Sequence, residues 1–513
     1  MNRLVYILIL ICIDYRECTQ YDRFSGEKVN GERLKELRLS NATSICTIYI
    51  KPCVPHEGSR IDGTCNNYKY PSLGAAKGPY ARLLKPDYAE NGDVRVSKNG
   101  KPLPSARQVR TFLQSTGRVT DKVTFNVAAV HYLDFINRDV SVLFEPIDYL
   151  TKGKDCCHQT EEKDPRCMPI QVPDNDPYLK VTDIRCLNFS RAETFQDIGC
   201  LSNSMLPEHI NLQTPLIDLS TIYGVDERSM NLVRKWEDGL LLMEERNGRN
   251  MPLVNLTKNL CIQNVENETN CYTFEVGNFD LRTTSFAIFF MREHNRIAKT
   301  LHELNPCWKD DRLFKVARQI NVATATNIFM YELLPLLLDR RNMISYGLIS
   351  NRKSQIVERY FGNLQKAYDQ VAGDIQRSRD LGMRGYNEYR SICGLKPAKT
   401  FEDFADVIDI EKVELLKHLY EDVDDVELLA GIMSENYIKN TFVGPTLFCI
   451  IARQMSVYRY GDRFWFERGD QFHSFTPAQL QEIRKTNIAR VACDNADGIK
   501  YVQPQAFLNV QMK

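Results

Sequence analysis

The sequence predicts a mainly α fold: a single large helical domain threaded by long, irregular, disulfide-tied loops. Three observations carry that reading. From about residue 279 the apolar residues recur at helical spacing, residues 19–120 and 151–215 are punctuated by Gly, Pro and Asn, and cysteines scatter through both kinds of segment. No β-α alternation, internal repeat or glycine-rich phosphate loop is present.

The chain has 513 residues, with 66 basic and 66 acidic side chains, 26% charged and 43% hydrophobic. That balance excludes a disordered tail protein, a collagen-like fibre and a polybasic nucleic-acid binder. At the start, Met1-Asn2-Arg3 precedes the apolar run Leu4–Ile13, with polar Asp14-Tyr15-Arg16 after it. The run is too short to span a bilayer, so residues 1–18 read as a secretory signal without a clean cleavage site, and a buried N-terminal helix is the alternative. No later stretch reads as transmembrane, so the mature protein is expected to be soluble.

Beyond Cys12, the remaining cysteines lack the close pairing of a zinc module and read as disulfides of an oxidising compartment. Glycosylation sequons start at Asn41, Asn188, Asn255 and Asn267, in keeping with secretion. The segment 19–120, with Gly58-Ser59-Arg60, Asn99-Gly100-Lys101 and Pro102-Leu103-Pro104, reads as an extended arm on the surface of a helical core spanning 121–513. Within that core, Val316, Ile320, Ala323, Asn327 and Tyr331 mark one helix face. Thr476-Pro477-Ala478-Gln479 carries an N-cap, a first-turn proline and a capping-box glutamine, and Leu480, Ile483, Ile488 and Val491 continue as a core-facing stripe.

Several strings resemble the animal haem peroxidase family. They are Asp62-Gly63-Thr64-Cys65-Asn66-Asn67, the Thr214–Ser220 turn followed by Ile222-Tyr223-Gly224, and Met291-Arg292-Glu293-His294-Asn295-Arg296. Asp374–Arg379 with Gly385–Arg390, Val443-Gly444-Pro445-Thr446 and Glu482–Thr486 follow in the family's order, over most of residues 53–510. The resemblance implies one peroxidase-like domain, haem and calcium as cofactors, and hydrogen peroxide with a reducing donor as substrates. Response to oxidative stress and matrix or cuticle cross-linking are the roles such an activity implies.

Peroxidation needs an imidazole beneath the iron, a distal base and a fixed cation. The resemblance places His131 at the base position. Its surroundings depart from the family: Val127 stands for a glutamine, Val130 for the aspartate esterified to haem, and Tyr132 for a calcium-binding carboxylate. A lone histidine on an apolar face reads first as a satisfied core residue. The distal arginine falls by spacing at Val276 or Asn278, with Arg282 and Glu275 nearby but out of register. No histidine occurs between His302 and His418, and Tyr346-Gly347-Leu348 is followed closely by Ile375–Asp380, so the segment bearing the proximal histidine is missing. The asparagine that would support it reads Asp374, the histidine after Arg379-Asp380 reads Leu381, and Tyr346, Tyr360 and Tyr368 are not singled out as replacements by their spacing.

The residues therefore predict a non-catalytic homologue acting as a secreted binding or adhesion protein, whereas the resemblance alone implies an active peroxidase. Partnership with an active paralogue is a third reading. Thr214, Leu216 (through its carbonyl), Asp218 and Ser220 are the expected calcium donors, weakened by Tyr132. Arg468-Gly469-Asp470 is a candidate turn for an integrin-type receptor or the extracellular matrix, a combination of fold and adhesion known from the arthropod peroxinectins. Cys493 lacks the later cysteine with which the family pairs it.

Overall fold

The computed structural model describes residues 19–23, 28–39, 46–114, 125–146, 156–157, 164–202, 205–253, 281–348, 358–359, 369–499 and 501–508. The signal-like residues 1–18 and the sequons at Asn41, Asn255 and Asn267 lie outside them. In the N-terminal arm, Thr19–Asp22 pairs antiparallel with Thr47–Ile50, flanking helix α1 (Gly31–Leu39). The arm is less irregular than its Gly and Pro content predicts. Helix α2 (Ala106–Leu113) starts where the Ser105 side chain accepts from Arg107 N, and it buries Ala106 and Val109 in the core. Part of the presumed surface wrap is thus core.

Helix α3 (Val127–Val140) is capped by Asn126, whose Oδ1 accepts from Ala129 N at 3.2 Å. The Asn126 amide also donates to the carbonyls of Ala506 and Leu508, which pins the helix start to the C-terminal segment. After a long connection come the single-turn α4 (Ser220–Tyr223) and α5 (Glu227–Val233), the latter opened by an Asp226/Ser229 capping box. The longest helix, α6 (Leu281–Leu304), packs along α7 (Asp310–Ile328). The sequence-predicted stripe Val316–Ile320–Ala323 is only partly inside. The deepest face of α7 runs one step over, through Leu313, Ala317, Asn321, Thr324 and Ile328. A π turn (Phe329–Leu333) joins α7 to α8 (Leu334–Leu338), where Pro335 has no N–H to give to the preceding turn. The run Asp310–Leu338 is long and apolar enough to cross a membrane, but 67% of its apolar window is buried inside the protein, as befits a core helix.

Then follow α9 (Arg340–Ser345), α10 (Gln370–Asp380), α11 (Tyr386–Ile392), α12 (Ile410–Leu419), α13 (Leu428–Ser434) and α14 (Pro445–Gly461). The predicted cap at Thr476 is formed as a full capping box with Gln479. The stripe beyond it breaks into two helices, α15 (Pro477–Ile483) and α16 (Ile488–Asn495), because Asn487 caps the second. Both still bury Ile483, Ile488 and Val491.

Among the described residues two large apolar cores result, beside two small clusters. One joins α3, α6, α7 and α16 around Tyr132, Phe135, Phe286 and Phe290. The other joins α2 and α10–α13 around Val109, Ile375, Tyr386 and Phe404. Gly431 is required there, since a Cβ on it would sit 2.1 Å from the Tyr386 ring. Strands are short two-stranded ribbons among the described residues. Disulfides Cys46–Cys200, Cys53–Cys65, Cys156–Cys167, Cys157–Cys186 and Cys393–Cys449 tie the loops, and Cys307 and Cys493 are free and exposed.

Candidate functional site

Helix α3, which the resemblance reads as the distal helix, holds His131 half-buried and Val130 50% exposed. Valine at 127 and 130 gives this face no side-chain acceptor or carboxyl group. Tyr132, next to the histidine, turns the other way. It is fully buried among Phe135, Phe286, Phe290 and Phe507, and its hydroxyl donates to Ala325 O at 2.9 Å. Burial pushes that phenol well above its ordinary range, so it remains neutral.

The predicted calcium turn closes on itself. Thr214 Oγ1 donates to Asp218 Oδ1 at 2.8 Å, and Ser220 N donates to the same oxygen at 3.1 Å. Ser220 Oγ donates to Asp139 O at 2.9 Å, and Arg318 Nη2 reaches Asp218 Oδ2 at 3.3 Å. Three of the four expected donors are therefore engaged with protein groups, and a guanidinium already answers the buried carboxylate. The turn thus gathers two buried carboxylates, Asp218 and Asp139, with the hydroxyls of Thr214, Ser220 and Thr221, against one guanidinium.

Asp139 organises this turn, and the sequence reading missed it. Its carboxylate accepts from the backbone of Asp218 (3.1 Å), Leu219 (2.9 Å) and Thr221 (3.1 Å), and from Thr221 Oγ1 (3.2 Å). Burial, reinforced by neighbouring Asp218, raises the Asp139 carboxyl, and burial likewise raises that of Asp218. The available signal was its helical register: Asp139 lies on the same α3 face as Tyr132, Phe135 and Ile136.

The helix that would present an iron ligand is not among the described elements. Residues 349–357 and 360–368, which include Tyr360 and Tyr368, lie outside the described residues, as do Val276, Asn278, Glu275 and the Arg282 side chain. Tyr346 is 60% exposed with its ring against Phe448. Asp374 is exposed and accepts from Gln370 Nε2 at 2.8 Å, one turn away on α10. Leu381 O accepts from Arg82 Nη1. Arg379 forks onto Glu427 at 2.6 and 2.8 Å, a buried clamp between α10 and the start of α13.

Other described histidines have structural employment. His294 is buried between the Tyr223 hydroxyl and Gly239 O, both at 2.8 Å, and burial lowers its imidazole to about 4. His209 lies buried beside Asp380, His302 faces Asp238, His418 stacks on Phe112, and His473 bonds to His56 O. Arg292 is likewise structural, reaching Asn250 O, Asn495 O and Asp497. Among the described residues, those present do not fit a ligated haem.

Arg468 and Asp470 close on each other, Nε to Oδ1 at 3.0 Å and Nη2 to Oδ2 at 2.8 Å, and this pairing holds the Asp470 carboxyl down at about 2. Gly469 is exposed between them. Of the sequons, Asn188 is described. It is exposed, and its Oδ1 accepts from Cys156 N at 2.9 Å.

Comparisons with known proteins agree with this architecture. The family model described as animal haem peroxidase matches residues 59–366 and 350–507, two matches that overlap over residues 350–366. Peroxidase from Drosophila melanogaster is 30% identical over 558 aligned positions, covering 88% of this chain and 79% of that protein. The human peroxidasin homolog is 28% identical across 92% of this chain, which spans 38% of that longer protein. Among solved structures, peroxidase A from Dictyostelium discoideum superposes with a TM-score of 0.67 at 21% identity, over 88% of this chain and all (100%) of that one, which is a likeness of fold. With a matching model over most of its length and these relatives, the chain belongs to the animal haem peroxidase family.

Proposed function

We propose that the chain is a secreted animal haem peroxidase homologue without peroxidase activity, working as an extracellular binding or adhesion protein. The observation that carries this reading is the absence of histidine between His302 and His418, the interval in which the family supplies its iron ligand. Without that imidazole nothing holds the metal from below or sets its potential. Val127 and Val130 extend the loss to the opposite face, where valine at 127 offers no amide and valine at 130 no carboxyl to esterify a porphyrin. Changes on both faces are what relaxed catalytic demand leaves behind.

Secretion is supported by the apolar leader Leu4–Ile13 and by five disulfides among the described residues. Calcium holds weakly in the Thr214–Ser220 turn, because it has to displace Arg318 from Asp218. The adhesive candidate is Arg468-Gly469-Asp470, which engages an integrin-type receptor or matrix only when Arg468 and Asp470 part from one another.

A second reading, an active hydrogen-peroxide-dependent oxidoreductase with His131 as base, is favoured by the likeness to the Drosophila peroxidase and by the intact cap of α3. Absorption of the secreted protein, expressed with added haem precursor, separates the two. The expected preparation is colourless and fails to oxidise a reducing dye with peroxide. A Soret band with peroxide-dependent turnover overturns the proposal.

A further inference from the structure

Matching by residue strings sets His131 at the base position of α3, and with it Val127, Val130 and Tyr132 at the positions of the amide and the two carboxylates around it. The Thr214–Ser220 turn is where that match can be checked in space, because the carboxylate directly after the base is the one that belongs to the turn. Tyr132 does not go there. Its ring lies in the aromatic core and its hydroxyl donates to Ala325 O. The α3 side chain that meets the turn is Asp139, which accepts from the backbone of Asp218, Leu219 and Thr221 while its own carbonyl accepts from Ser220 Oγ.

Asp139 comes seven residues after Tyr132. A step of seven is about 20° short of two full helical turns, so such residues share a face while standing about 10.5 Å apart along the axis. Periodicity cannot separate the two alignments; contact with the turn does. Anchored on Asp139, the base position falls on Arg138, the acid before it on Asn137, and the amide one turn earlier on Asp134. The string match leaves two valines and a tyrosine around the base. The turn-anchored register instead puts a polar side chain at each of the three positions, with an acid on the turn, and concentrates the departure on Arg138.

These residues stand together on α3. Asn137 is exposed, Asp134 and Arg138 are half-buried, and Arg138 Nε donates to Asp134 Oδ2 at 3.4 Å across one turn. The same stretch lies within electrostatic reach of α10. There the Asp374 carboxyl, at the position of the asparagine that would support an iron ligand, is raised by desolvation first and in smaller part by the charge of Asp134. Two independent neighbours, the turn and α10, thus address the Asp134–Asp139 end of the helix.

We infer that Arg138, paired with Asp134, stands in the place of the distal base, and that His131 lies two turns away from it. A guanidinium stays protonated at any physiological pH and offers no acceptor, so this position is closed to base chemistry. The inference builds on the reading of the chain as a homologue without peroxidase activity, and moves the loss on this face from two valines to one arginine.

The test is hemin titration of the full chain in wild type, His131→Ala and Arg138→His, read as the Soret position and the midpoint of binding. His131→Ala is expected to leave both unchanged. Arg138→His, with an imidazole at the position assigned to the base, is expected to move the Soret band to that of imidazole-ligated iron and to tighten binding about tenfold or more. An altered spectrum or weakened binding in folded His131→Ala overturns the assignment, as does a folded Arg138→His that matches wild type. His131→Ala decides alone if Arg138→His does not fold. Peroxide turnover by wild type that survives His131→Ala would end the non-catalytic reading and leave this register standing, whereas turnover lost in His131→Ala would end both.

Discussion

Arg318 Nη2 stands 3.3 Å from Asp218 Oδ2, with both side chains buried, in the turn where the family resemblance leads one to expect a calcium ion. The guanidinium does for the carboxylate what a metal would do, though through one contact and without the geometry of a cage. Removing it leaves Asp139 and Asp218 buried together with no cation beside them. Arg318→Ala is therefore expected to cost about 3–5 kcal/mol in denaturant melts. Wild-type protein should lose no more than about 2 °C of melting temperature to a calcium chelator, whereas folded Arg318→Ala should be stabilised distinctly by added calcium. A large chelator effect on the wild type contradicts this account of the turn.

Tyr132 belongs to the aromatic core and not to the turn, where Asp139 already supplies a second carboxylate. Ala325 O also accepts from Phe329 N, so losing the phenolic hydroxyl in Tyr132→Phe should cost only about 1 kcal/mol. Tyr132→Asp instead removes an aromatic ring from the main core and buries an acid, at an expected cost above about 4 kcal/mol. Similar losses for the two variants would show that the ring is not packed as described.

Glu332 makes a pH prediction. Burial raises its carboxyl to about 7, although Ile488 N donates to it at 2.9 Å. Because the folded-state value lies above that of the unfolded chain, the folded protein holds the extra proton between the two. The associated stability is present below the unfolded value and is lost as pH rises through about 7. Glu332→Gln keeps an acceptor for Ile488 N and should flatten the decline between about pH 5 and 8, worth at most about 3 kcal/mol. Parallel wild-type and variant profiles over that range would refute the assignment.

The Arg468–Asp470 closure bears on adhesion. If cells attach to the purified protein through this turn, Asp470→Ala should abolish attachment, with melting behaviour within about 0.5 kcal/mol of wild type because the pair is exposed. Attachment that survives both Asp470→Ala and Arg468→Ala removes the turn from the proposed function.

Local signals in the chain proved legible where short-range physics governs. The Thr476/Gln479 box, the helical stretch after residue 279 and the disulfide-rich loops all formed. The reading erred where a second local signal competed: Asn487 starts a new helix within the presumed single stripe, and Ser105 nucleates a buried helix inside the presumed arm. The candidate site was half legible, since residue identity shows that no histidine lies between His302 and His418 but not what the remaining polar groups do.

By itself the sequence determined the fold family, the helix-forming segments and the lack of any histidine between His302 and His418, because caps, periodicity and residue identity are local properties. Only the tertiary structure decided that Cys46 reaches Cys200, that Asp139 organises a turn some eighty residues downstream (Thr221 being 82 away), and that Arg318 answers Asp218. Those pairings form between residues that meet only after the cores have packed. Their energies are set by the water that packing excludes, which spacing along a chain does not encode.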